Sequence, residues 1–370
     1  MRTFQCGHAA HPDWREAARS CLDQLKDAPP AANLGFIYMT DLLAEDAQKI
    51  VHFFREHTGI AHWAGTVGIG VCATGREYLD TPAIAVMAGE FDPDSFQIFS
   101  GATDLDDLDN VNFTCGNEPA HFAIVHGDSR NLNLAELIDT FAQRLVSGFA
   151  VGGLASSRKT TFQVADDLAE GGISGVLMSS AVSISTRLTQ GCVPIGAKHL
   201  ISACQENIII ALDRRPALDV LREDIGEELA RDLTRIGGVI FVGLPIPGSD
   251  TGDYLVRNLV GIDPEHRVVA IGETLEPNTM LMFCRRDRAT AVADMKRMLF
   301  SIKQDLASAP KGGLYYSCLG RGAGLFGENS TELKLISETL GEFPLVGFFC
   351  NGEISHNRLY GYTGVLTLFT

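Results

Sequence analysis

The sequence predicts an α+β or mixed α/β protein in which mixed β-sheets pack together with helices on the outside, built from repeated strand-helix-strand units. Three observations carry this. One layout of strand, helix, glycine-punctuated segment and strand recurs three times along the chain. Between the second and third copies, several strand-like runs follow one another without a helix, which signals antiparallel pairing. At 370 residues and 45% hydrophobic content, the chain is long for one compact domain and carries enough apolar side chains for two.

The stretch to Leu25 has helical spacing, with Trp14, Ala18, Cys21 (or Leu22) and Leu25 three or four residues apart. Asp27 to Ala32, with Pro29 and Pro30, ends it as a short linker. The first copy opens with an apolar strand, Leu34 to Met39. Its helix places Ala47, Ile50, Val51 and Phe54 at i, i+3, i+4 and i+7, and the segment GTVGIGVCATGREY (Gly65 to Tyr78) and a strand at Ala83 to Ala88 follow. The second copy starts at His121 in HFAIVHGD; Asn133 is the expected N-cap of a helix carrying Leu134, Leu137, Ile138, Phe141 and Leu145. Gly152 and Gly153 then precede a strand at Val176 to Met178.

The third copy is C-terminal: GGLYYSC, a helix capped by Ser330 with Leu333, Ile336 and Leu340 on one face, then PLVGFFCNGEI and a strand at Thr363 to Phe369. Recurrence reads as duplication because Gly75-Arg76-Glu77 and Gly352-Glu353 fall at similar places in copies one and three. The competing reading is the grammar that any α/β protein reuses. Between copies two and three come a strand at Asn207 to Leu212 and a helix from Pro216 with Leu218, Leu221, Ile225, Leu229 and Leu233 on one stripe. Strands are expected at Val239 to Gly243, Tyr254 to Val260, Val268 to Gly272 and Met280 to Cys284, then a helix carrying Val292, Met295, Leu299, Ile302 and Leu306.

Thirty Lys and Arg against 46 Asp and Glu give a formal charge of -16, the wrong sign for neutralising phosphates. Nucleic acid and membrane surfaces are therefore not expected partners. No apolar run reaches the roughly 18 residues of a membrane span and the first thirty residues lack a signal-peptide core, so the expected location is cytoplasmic. Nine cysteines, an odd number and mostly inside apolar runs, read as reduced thiols.

GRGAGLFG, Gly320 to Gly327, contains a G-x-G-x-x-G at Gly322, Gly324 and Gly327 between a strand and a helix. With the helix starting at Ser330, beyond the motif, it is a poor dinucleotide fingerprint. Read locally, glycines flanking Arg321 let amides face a cavity, and the guanidinium offers a fork of donors for a carboxylate or phosphate. The alternative is a structural Arg321 paired to Glu353 or Glu328. Cys318 is either a nucleophile or a buried inert thiol. QGCVPIG, Gln190 to Gly196, either presents Gln190 and Cys192 from a tight backbone or simply joins two strands. Cys6, His8 and His11 are a weak metal set in a terminus expected to be mobile, and no C-x-x-C, H-E-x-x-H or G-x-S-x-G occurs.

Taken in order, QGCVPIG, YYSCLGRGAGLFG and PLVGFFCNGEI resemble the FIST family, with GTVGIGVCATGREY as the corresponding N-terminal segment. The resemblance runs from near Ala32 to the end and divides the chain into an N-terminal helix and linker (1–31), a FIST-N-like region (32–217) and a FIST-C-like region (218–370). It implies a non-enzymatic sensory module of signal transduction that binds a small ligand, an amino acid or other small anion, in a pocket between the two regions and signals through a protein partner. The motif positions carried over are Gln190, Gly191, Cys192, Pro194 and Gly196, then Cys318, Gly320, Arg321 and Gly322, then Gly352 and Glu353. Leu319 stands where the family commonly has Asn, and Ser355-His356 where it has Gly-Pro.

No cofactor or metal is expected at the site. The alternatives are a haem-binding nitric-oxide sensor working beside a kinase or cyclic-dinucleotide enzyme, with His356 as the candidate axial ligand, and an enzyme using Cys192 or Cys318 as nucleophile. The chain has no room for a kinase or cyclase of its own.

Overall fold

The computed structural model describes residues 4–29, 31–246 and 253–370. They form two compact units: residues up to Thr189 together with Met295–Thr370, and the intervening Gln190–Asp294.

The larger unit is a threefold repeat. The first copy runs β1 (Gln5–Ala10), α1 (Trp14–Gln24), β2 (Leu34–Thr40), α2 (Ala47–Thr58), β3 (His62–Gly68), β4 (Gly70–Ala73), β5 (Arg76–Leu79) and β6 (Ala83–Gly89). The second runs β7 (Phe96–Ala102), the small hairpin β8 (Thr114–Cys115) and β9 (Glu118–Pro119), β10 (Phe122–Gly127), α3 (Leu134–Gln143), β11 (Phe149–Leu154), β12 (Gln163–Ala165), β13 (Asp167–Ala169) and β14 (Ile173–Met178). The third opens with β15 (Ile184–Gln190). There the second unit intervenes, with β16 (Val193–Gln205), β17 (Ile208–Leu212), β18 (Arg215–Pro216), α4 (Ala217–Ala230), β19 (Ile240–Pro245), β20 (Tyr254–Asp263), β21 (Val268–Ile271) and β22 (Met280–Arg285). The third copy resumes as α5 (Arg288–Asp305), β23 (Gly312–Cys318), α6 (Ala323–Phe326), α7 (Thr331–Leu340), β24 (Leu345–Cys350), β25 (Glu353–His356), β26 (Arg358–Tyr360) and β27 (Thr363–Phe369).

Each copy builds its sheet by the same pairing. β2 lies parallel to β3 and antiparallel to β6; β10 stands so between β11 and β14, and β23 between β24 and β27. The hairpin after the second strand leaves its own sheet. β4–β5 joins β24 of copy three, β12–β13 joins β3 of copy one, and β25–β26 joins β11 of copy two. This cyclic exchange covers one edge of every sheet, which would otherwise be open to pairing with another chain.

A glycine marks the tightest point of each parallel pair. A Cβ on Gly65, Gly152 or Gly347 would fall 1.7, 1.8 and 1.8 Å from the carbonyl oxygens of Ile37, Val125 and Tyr315, their partners in register. The three positions are therefore equivalent. By the same register Val71, Gln163 and Glu353 are equivalent, because each pairs with the residue that follows its neighbour's glycine. Glu353 thus corresponds to Val71, and the Gly-Arg-Glu of copy one is no counterpart of the Gly-Glu of copy three.

Inward side chains of the three sheets, among them Phe36, Tyr38, Ile124, Val176, Tyr316 and Phe348, share one buried cluster. Helices cover the outside. Ala47, Ile50, Val51 and Phe54 of α2, with Trp14, Ala18, Cys21 and Leu25, form the outer core of the first sheet; Leu137, Ile138 and Phe141 of α3 do so for the second. Asp13 caps α1 by accepting the amide of Arg15. Gln5–Ala10, expected to share a helical terminus, is instead a strand paired with β6. The glycine-punctuated segment Gly65–Tyr78 forms the end of β3 and the hairpin β4–β5.

The second unit is an antiparallel barrel. β16, β22, β19, β20, β21 and β17 pair in sequence, and β17 returns to β16. The thirteen-residue β16 makes this closure possible: its first half pairs with β22 and its second half with β17, with a register shift between Ile195 and His199. Inward residues such as Ile201, Ile209, Val242, Val269 and Phe283 form one apolar cluster with Leu218, Leu221 and Ile225 of α4. The expected stripe on α4 stops short of Leu233. Gly226, at φ 79° and ψ 162°, breaks the helix after Ile225.

Candidate functional site

The glycine-rich loop after β23 closes on an internal carboxylate. Arg321 has 1% exposure, and its Nε donates to Oε1 of Glu332, in the first turn of α7, at 2.8 Å. The same oxygen accepts the hydroxyls of Tyr315 at 2.6 Å and Ser317 at 3.1 Å, while Oε2 accepts the amide of Gly322 at 2.8 Å. The guanidinium also lies over the Phe326 ring, 4.9 Å from its centroid. Burial opposes the Arg321 charge, but Glu332 outweighs it and keeps the guanidinium protonated.

The helix expected after Ser330 is α7, but a further one-turn helix, α6, begins inside the G-x-G-x-x-G. No phosphate is needed to satisfy the motif, because Glu332 already takes the amide of Gly322. Ser330 precedes α7 in a left-handed conformation, and its hydroxyl accepts the amide of Glu77 instead of capping the helix. Burial and the nearby Glu332 push the Glu77 carboxyl up to about 7.

Beside this loop, Cys318 ends β23 half-buried and Glu353 begins β25 fully buried. Oε2 of Glu353 accepts the hydroxyl and amide of Thr363 at 2.7 and 3.1 Å, whereas Oε1 is buried and no N–H or O–H donor reaches it. Burial pushes the Glu353 carboxyl up to about 8, outweighing the Thr363 bonds, the charge of Arg321 and the Cys318 thiol beside it. Burial thus favours the protonated carboxylic acid over the carboxylate. Burial also drives the Cys318 and Cys350 thiols well above their ordinary range, which favours the thiol over the thiolate. Amides of Gly320 and Tyr362 approach the Cys318 sulfur, and the Tyr362 ring abuts Gly320. Thr40, at the equivalent strand position, likewise accepts the amide of Ala83 at the head of its return strand.

A second polar cluster was invisible in the sequence. The fifth residues of β2, β10 and β23 are Tyr38, His126 and Tyr316, all fully buried. Tyr38 Oη lies 3.1 Å from His126 Nε2 and 3.3 Å from Tyr316 Oη, while His126 Nδ1 has no partner. Burial lowers the His126 imidazole to about 3, so it is neutral. Only the repeat register singles these residues out.

Comparison with known proteins gives the architecture its family. Residues 33–215 match the FIST N domain and residues 217–356 the FIST C domain. The chain belongs to the FIST family. Similar proteins over nearly the full length include the uncharacterized protein Rv0628c of Mycobacterium tuberculosis, 31% identical over 387 positions covering 98% of each chain. The uncharacterized protein Mb0898c of Mycobacterium bovis is 28% identical over 384 positions, covering 98% of this chain and 97% of its own. FIST domains are small-ligand sensory domains of signalling proteins.

The boundary between the two FIST regions does not follow the compact units. The repeat unit draws on both regions: β25 of the FIST C region pairs with β11 of the FIST N region, with Glu353 opposite Gly153. Cys318, Gly320, Arg321, Gly322, Gly352 and Glu353 all belong to the repeat unit, whereas Gln190 and Cys192 of QGCVPIG belong to the barrel unit. There the Gln190 amide donates to Asp294 at 2.7 Å, its Nε2 to the Tyr254 carbonyl at 3.3 Å, and the Cys192 carbonyl accepts the Tyr254 hydroxyl at 2.6 Å.

His356 is exposed, with its ring edge-on to Phe149 and its Nδ1 2.6 Å from Asn357 Oδ1. Cys6 and His8 lie on β1 and face Thr74 and Tyr78. Among the described residues no group of three or more His, Cys, Asp or Glu is placed to hold a metal ion, and no helix is long and apolar enough to cross a membrane.

Proposed function

We propose that this FIST protein is a non-enzymatic cytoplasmic sensor whose ligand carries an amine, as an amino acid does, and that Glu353 receives that amine. The carrying observation is Oε1 of Glu353, an oxygen that no N–H or O–H donor reaches, on a carboxyl with no exposed surface whose other neighbour is the weak donor Cys318. A buried carboxyl oxygen left unbonded costs roughly 1–3 kcal/mol, and an ammonium ligand would remove that cost while supplying the charge a carboxylate needs. Cys318 lies beside it, and Gly352 precedes it in the chain. Arg321 and Gly322 act by holding the loop in shape through Glu332, not by meeting the ligand. Glu353 lies on a strand that ties the FIST C region to the FIST N region, so ligand uptake there bears on how the two regions hold together, and a signalling protein partner would read that change.

Thermal denaturation against the standard amino acids, simple amines and simple carboxylates tests the reading. An amine-bearing class should raise the melting temperature of the wild type and leave Glu353→Gln unmoved, since a ligand that binds the native state must stabilise it. Stabilisation by carboxylates lacking an amine, equal stabilisation of Glu353→Gln, or no stabilisation at all would overturn it.

A further inference from the structure

In the barrel unit His199 stands between two carboxylates. Its Nδ1 is 2.6 Å from Oδ2 of Asp213, in the turn after β17, and its Nε2 is 2.9 Å from Oδ2 of Asp224 on α4. Both oxygens are acceptors, so both ring nitrogens must donate. Only the imidazolium does that; a neutral ring has one N–H and can keep one partner.

The contact sits at the place where the barrel is least regular. His199 follows the bulge Gly196-Ala197-Lys198 that shifts the register of β16, and Gly196, at φ 68°, carries no Cβ because one would fall 2.3 Å from the Asp224 carboxyl carbon. Asp224 lies on the last regular turn of α4 before the break at Gly226. Leu218 and Leu221 of the same helix cover the apolar interior of the barrel.

Among the described residues, three ion pairs join α4 to other elements, and they differ in kind. Asp219 pairs with Arg267 at 3.0 Å, Glu223 pairs with Arg215, and Asp224 pairs with His199. The arginine pairs are solvated and keep their charge at any physiological pH, so each holds weakly and constantly. The His199–Asp224 pair is the most buried of the three, with side-chain exposures of 11% and 13%. It is also the only one whose cation titrates near neutrality.

We propose that His199 is a pH-sensitive clasp that pins α4 over the apolar interior of the barrel and releases it as the pH rises. The charged and titratable groups around the ring are Asp224 and Glu223 from α4, Asp213 from the turn after β17 and, beside Asp213, Arg215 of β18; β22 opposes it with Leu281 and Phe283. Burial lowers the imidazole, but the hydrogen bonds to Asp213 and Asp224 and their charges outweigh it, and the net shift is upward. The clasp is therefore complete below about 6.5, the ordinary histidine value, and is lost as pH rises through the higher value of the folded state.

Hydrogen exchange of the intact chain at pH 6 and pH 9, corrected for intrinsic rates, tests this. Peptides covering α4 should lose protection at least fivefold at pH 9 in the wild type, while peptides of β23 in the repeat unit keep theirs. His199→Gln should show the low protection of α4 at both pH values. Equal α4 protection at the two pH values in the wild type, or an unaltered pH dependence in His199→Gln, would overturn the proposal. Should that variant not fold, the carbon-13 shifts of His199 in labelled wild type decide: a ring titrating above the ordinary histidine value supports the clasp, and one titrating at or below it refutes it.

Discussion

Arg321 and Glu332 are bonded at 2.8 Å with no side-chain exposure on either partner, and this pair occupies the loop that in sequence looks built for an external anion. Removing one partner leaves the other charged, buried and alone. Arg321→Met and Glu332→Gln should each lower the unfolding free energy by roughly 3–5 kcal/mol in urea titrations. The double substitution should cost less than the sum of the two, because no lone charge remains. Additive losses would show that the two side chains act independently.

Glu353 makes stability depend on pH in an unusual direction. Its folded carboxyl titrates at about 8 against an ordinary 4.5, so between those values the native state holds a proton that the unfolded chain has released. Stability therefore falls as pH rises from 4.5 to 8, by up to about 1.4 kcal/mol per unit. Glu353→Gln should remove that slope, so that its advantage over wild type grows from pH 5 to pH 8 in chemical denaturation. An amine ligand should bind up to about tenfold more tightly per unit over the same range and level off above pH 8, since uptake expels the proton.

His126 works in the opposite sense. A neutral ring buried at about 3 contributes stability that is complete above the ordinary value of 6.5 and is lost progressively as pH falls toward 3. His126→Gln retains a group able to bond Tyr38 and has no proton to gain, so its acid-unfolding midpoint should lie lower than that of the wild type. Circular dichroism during acid titration reads the difference directly.

The equivalent glycines make a sharper mechanical prediction. Gly347→Ala places a methyl 1.8 Å from the Tyr315 carbonyl oxygen, backbone that cannot turn aside. The expected loss is about 1–3 kcal/mol or more, with the same outcome for Gly65→Ala, whereas Gly237→Ala, with nothing within 4 Å, should be tolerated. Equal melting temperatures for the three variants would mean that the strands can part without cost.

Much of this architecture was legible in local pattern. The apolar spacing of Ala47, Ile50, Val51 and Phe54 marks α2, and these side chains are buried on one face. Thr363 to Phe369 reads as a strand and forms β27. The edge strands β1, β7 and β15 were not legible, because mixed polar and apolar residues at an edge carry no clean alternation. The break in α4 was hidden as well: Leu229 and Leu233 continue the stripe, and Gly226 alone ends the regular helix.

The sequence by itself determined the local elements, the recurrence of one layout, the acidic surface charge and, through ordered motifs, membership of the FIST family. Only the tertiary structure decided which groups are spent and which are free. Arg321 could have met Glu353, Glu328 or a ligand, and its partner is Glu332 because α7 folds back over the loop and brings its first turn to the guanidinium. Hydrogen-bond partnership depends on positions within about 3 Å in space, and residues far apart in the chain, such as Tyr38, His126 and Tyr316, acquire a common site only when three sheets close around one core.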